Sequence, residues 1–127
     1  MFQHMTDEQK NLYGCIDFLV SVQMVTRLPL HEILNDIESK GKFDDFFELG
    51  FFRASGMRPF KLSGFLEGNY GNRYMDVVKE LNDNKITELR NEQLVTQIYN
   101  FVLSNGRSDL KNCLLMCKDK LDNIKVK

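Results

Sequence analysis

Apolar residues recur at three- and four-residue intervals through most of this chain, a spacing that α-helices produce and strands do not. The clearest case lies near the start. Thr6 is a natural N-cap, Gln9 three positions on completes a capping box, and Asp7 and Glu8 suit the positive end of the helix dipole. Leu12, Cys15, Ile16, Leu19, Val20 and Gln23-Met24 follow. That stripe is too broad for a surface helix and predicts a central one. Arg27-Leu28-Pro29 ends it, with Pro29 suited to the first position of a second helix. There Leu30, Ile33, Leu34 and Ile37 make a clean amphipathic pattern, and Gly41 is the expected stop.

Residues 43–66 are different. Seven of the ten phenylalanines fall here: Phe43, Phe46, Phe47, Phe51, Phe52, Phe60 and Phe65. Phe43, Phe46, Phe47 and Leu49-Gly50 read as a short third helix, with Asp44, Asp45 and Glu48 toward water. Gly50, Gly56 and Pro59 are expected to break the chain, and Phe60, Leu62, Phe65 and Leu66 to form another short helix weakened by Gly64. Gly68-Asn69-Tyr70-Gly71-Asn72 is a loop by composition. Helical stripes then resume: Tyr74, Met75, Val77, Val78 and Leu81; Leu94, Val95, Ile98, Phe101 and Val102, ending at Asn105-Gly106; and Leu110, Cys113, Leu114, Cys117, Leu121 and Ile124, capped by Ser108 with Asp109 in the first turn. The pattern predicts an all-α fold: one helical domain over residues 1–127, a bundle of five to seven helices with an irregular Phe- and Gly-rich middle segment. Residues 1–5 are set aside, because Phe2-Gln3-His4-Met5 looks like a cloning junction that would make Met5 the native start.

Composition narrows the function classes. Apolar residues make up 43% and charged residues 28%, an ordinary globular balance that argues against disorder. The net charge of −1 lacks the basic excess with which nucleic-acid binders neutralise phosphates, so nucleic acid is not an expected partner. No apolar run is long enough to cross a membrane, and no secretory signal is present. Cys15, Cys113 and Cys117 are odd in number and widely spaced, which speaks for free thiols in a reducing compartment and a cytoplasmic location.

Each candidate for chemistry has a plainer reading. Cys113 and Cys117 share a helix face but lie on the apolar stripe, where thiols pack as small hydrophobes; a structural zinc ion needs four ligands, and only Cys15, His31 and His4 remain to complete them. Cys15 with His31 as base would make a thiol nucleophile, yet Cys15 is also a stripe residue. Asp44-Asp45 are adjacent on a helix and point apart, so they are no shared-proton dyad. Gly68-Asn69-Tyr70-Gly71 is only loosely the G-x-x-G turn of some RNA-binding folds. The expectation is therefore no catalytic residue, no cofactor and no metal.

The segment from Arg53 to Lys61 is the most suggestive. It holds Arg53, Arg58 and Lys61 with no acid, next to Phe51, Phe52 and Phe60. Cations that steer and aromatics that anchor are the ingredients of a protein interface. The sequence thus points to a small intracellular protein-binding module, a regulator or inhibitor of the antitoxin, immunity or effector-antagonist kind, with these six residues as its contacts. Two other readings stand beside it. The second and third helices, joined through Lys40-Gly41-Lys42, have the layout of a helix-turn-helix DNA-binding regulator, although Asp44, Asp45 and Glu48 would repel phosphates. A small thiol-dependent enzyme is the other.

Overall fold

A computed structural model describes residues 4–54, 91–105 and 109–124. All regular structure among them is helical: α1 (Asp7–Thr26), α2 (Leu30–Ser39), α3 (Phe43–Ala54), α4 (Glu92–Asn105), α5 (Leu110–Met116) and α6 (Lys118–Leu121). The all-α class is as the sequence predicts, and none of these helices is long and apolar enough to cross a membrane. The expected helix over Tyr74–Leu81, and the part of the Phe-rich stretch beyond Ala54, lie outside the described residues.

The first helix starts as its sequence dictates. Thr6 Oγ1 accepts the Gln9 N–H at 3.1 Å while Gln9 Oε1 accepts the Thr6 N–H at 2.8 Å, a complete capping box. Every residue from 12 to 22 is buried, so α1 is enclosed on all sides and forms the axis of the bundle. It ends where Arg27 turns left-handed, at φ 60°. Pro29 stands one place earlier than expected, at the N-cap of α2 rather than inside it. Leu30, Ile33, Leu34 and Ile37 are buried as their spacing requires, and Gly41, at φ 68°, makes the turn into α3.

The third helix departs from expectation. Gly50 does not stop it; α3 continues for another turn to Ala54. The reason lies across the interface. A Cβ on Gly14 of α1 would overlap the Gly50 carbonyl and come within 2.8 Å of its Cα, and one on Gly50 would meet the Asn11 carbonyl and the Cys15 nitrogen, the latter at 2.5 Å. The two backbones touch, and only paired glycines permit that. On the N-terminal side of this crossing, Phe43, Phe46 and Phe47 are buried, with Phe46 packed against Phe18 at a ring separation of 5.9 Å.

The remaining helices close the core. Val95, Ile98, Tyr99 and Val102 form the buried face of α4, and Tyr99 meets Tyr13 of α1 edge-on at 5.4 Å. The C-terminal stripe is buried from Leu110 to Leu121 but is split by a turn at Cys117 into α5 and α6, and the N-cap of α5 is Asp109, which accepts the Asn112 N–H at 3.2 Å. Asp109 was expected in the first turn behind a Ser108 cap; Ser108 lies outside the described residues. Two carboxylates distant in sequence fix the direction of this last pair. Glu8 Oε1 accepts the Leu110 N–H at 2.6 Å, and Asp122 Oδ1 accepts the Leu30 N–H at 2.6 Å. The start of α5 thus sits by the start of α1, and the end of α6 just beyond the end of α1, so the C-terminal pair runs parallel to the axis.

A glycine inside an exposed helix gains about 1 kcal/mol of stability when replaced by alanine. At Gly14 or Gly50 the opposite sign is expected: Gly14→Ala and Gly50→Ala should each destabilise by about 1–3 kcal/mol, because α1 and α3 must be pushed apart. Urea denaturation decides, and a stabilised variant would refute the backbone contact. Ile98→Ala, which removes a side chain 1% exposed in the middle of α4, should cost roughly 2–5 kcal/mol by the same measurement.

Candidate functional site

The residues expected to contact a partner are only partly in view. Phe51 lies in the last turn of α3, half-buried, with the Lys10 ammonium 5.8 Å from its ring centroid, a cation–π contact between α3 and α1. Phe52 and Arg53 follow on the same turn of helix, and their side chains are outside the described residues. So are Arg58, Phe60 and Lys61. The aromatic row of α3 therefore changes character along its length: Phe46 is wholly enclosed, Phe47 is 5% exposed, and Phe51 reaches the surface.

Next to this row is an open groove of about 430 Å³ between α1, α3 and the start of α5, lined by Glu8, Asn11, Asp44, Phe47, Glu48, Asp109 and Lys111. Asp44, Phe47, Glu48 and Phe51 fall at i, i+3, i+4 and i+7, so one face of α3 carries the groove wall and leads to the Phe51 ring. The groove is acidic, with four carboxylates against one ammonium. Lys111 Nζ reaches Asp44 Oδ1 at 2.8 Å; that hydrogen bond raises the ammonium's pKa, burial opposes it, and the charges of Asp44, Asp109 and Glu48 add to the rise, so the net shift is upward. Asn11 Oδ1 is buried with no hydrogen-bond partner among the described residues. No group of three or more His, Cys, Asp or Glu among the described residues is placed to hold a metal ion.

The thiols and the histidine are where packing puts them. Cys15 is fully enclosed in the core, and burial pushes its thiol well above the ordinary range. Cys113 and Cys117 are each 7% exposed; burial, and then Cys117 beside it, raise the Cys113 thiol, which donates to the Val102 carbonyl at 3.4 Å. A thiol held protonated is a poor nucleophile. His31 turns to Asp122, its Nδ1 2.6 Å from Oδ2, while the same carboxylate accepts the backbone N–H groups of Leu30 and His31. Pro29 has no side chain able to cap α2, and Asp122 supplies that cap from 92 positions away.

Sequence reasoning missed Asp122, Glu8 as the partner of α5, and the glycine pair. Gly14 and Gly50, each inside a helical stripe, were the one available signal. Met24 and Met116, 42% and 83% exposed, are the large apolar side chains most open to solvent among the described residues, and neither belongs to the expected contact set. Isolated apolar side chains of this kind are ordinary on a protein surface. In comparisons with known proteins, no family model, curated protein or solved structure matched this chain.

Two solution tests follow. Burial raises the Asp122 carboxyl, but the hydrogen bonds from the His31 ring and from the Leu30 and His31 amides outweigh it, and the net shift is downward. A carboxyl whose folded pKa is depressed stabilises the fold above its unfolded value, near pH 4, and loses that contribution as pH falls through its folded value. Asp122→Ala should therefore cost about 1–2 kcal/mol at pH 7. The gap between the stability curves of the two proteins should shrink as pH falls from about 4 through the lower folded value of Asp122; a gap that stays constant with pH would show that charge is not involved. For the thiols, modification of Cys15 by a thiol reagent in native buffer should proceed only as fast as global unfolding allows, read as a labelling rate that tracks denaturant stability.

Proposed function

We propose that this chain is a small cytoplasmic protein-binding module, a regulator or inhibitor that covers the functional surface of a partner protein, of the antitoxin, immunity or effector-antagonist kind. The observation that carries this reading is the emergence of the α3 aromatic row at Phe51, beside Lys10 and immediately before Phe52 and Arg53. A row that begins as core and is only half-buried at its end leaves part of a large ring at the edge of the fold, the kind of group that anchors an interface. In this reading Phe51, Phe52 and Phe60 anchor, and Arg53, Arg58 and Lys61 steer and position.

The polar groups in view support the same assignment by what they do. His31 and Asp122 hold α6 against α2, Glu8 holds α5 against α1, and the thiols lie in the core. The helix-turn-helix reading is less well supported, because the solvent side of α3 carries Asp44, Asp45 and Glu48 while its other side is committed to α1.

The test is a charge reversal. Arg53→Glu combined with Arg58→Glu should leave the helical circular-dichroism spectrum and melting temperature unchanged. The double variant should also lose at least tenfold in affinity for a protein partner recovered with the wild-type chain from its host and identified by mass spectrometry. Unfolding of the double variant would mark these side chains as structural, and undiminished binding would move the interface elsewhere; either result defeats the proposal. Salt-steep retention of the wild-type chain on heparin would instead favour the DNA-binding reading.

A further inference from the structure

We draw no further inference here: the strongest candidate, the carboxylate-lined groove between α1, α3 and α5 as a seat for a basic side chain, rests on an acidic cluster whose members already hold Lys111, Asn112 and the start of α5, and nothing in the structure shows what covers it.

Discussion

The contact between Gly14 and Gly50 governs the arrangement of the N-terminal half. Helices usually pack with their axes 8–10 Å apart, the gap being filled by side chains. Here the backbones themselves meet, since a Cβ on either glycine would collide with main-chain atoms of the other helix. Such a point of contact leaves no latitude in register, because sliding α3 by one residue brings a Cβ into the crossing. It also accounts for the size of the neighbouring side chains. Away from a close crossing the space between two helices widens, and the ring pair of Phe18 and Phe46 occupies it. The smallest and the largest apolar residues are thus two parts of one packing solution.

The C-terminal helices are placed by a different means. Their apolar stripe, Leu110, Cys113, Leu114, Cys117 and Leu121, would bury itself on the core in either direction. Direction is set by the carboxylates at each end, because Glu8 and Asp122 each occupy the amino end of a helix, where unpaired N–H groups and the helix dipole favour negative charge. Lys118 adds a contact to Glu38 of α2 at 3.1 Å, but side chains as exposed as these contribute little beyond orientation.

Legibility in the sequence follows the range of the interaction involved. The capping box at Thr6, the stripes of α1, α2 and α4 and the stop at Gly41 are decided by residues within a turn or two of each other, and local spacing reveals them. Gly50 was misread for a physical reason: a glycine that ends a helix through its backbone freedom and one that admits a neighbouring helix through its missing side chain look alike until the partner is known. Asp122 is harder still, since its role depends on Pro29 being unable to cap and on two chain segments 92 positions apart. Tyr99 is comparable, buried where its ring meets Tyr13 of α1 edge-on. Of the six expected contact residues, one side chain, Phe51, is among the described residues, half-buried beside Lys10.

The glycine crossing also bears on how α3 would present an interface. Binding through large rings is efficient when they need no ordering on contact, because immobilising side chains and backbone otherwise offsets much of the gain. Phe51 follows the crossing directly, so its backbone is held beside the contact of α1 with α3, and the Lys10 ammonium lies near one face of its ring. A ring held this way needs little ordering on contact, and in the proposed reading Arg53, Arg58 and Lys61 of the following sequence supply the steering charge. The same contact that makes α3 part of the core would, in the proposed reading, also fix the backbone from which its last turn meets a partner.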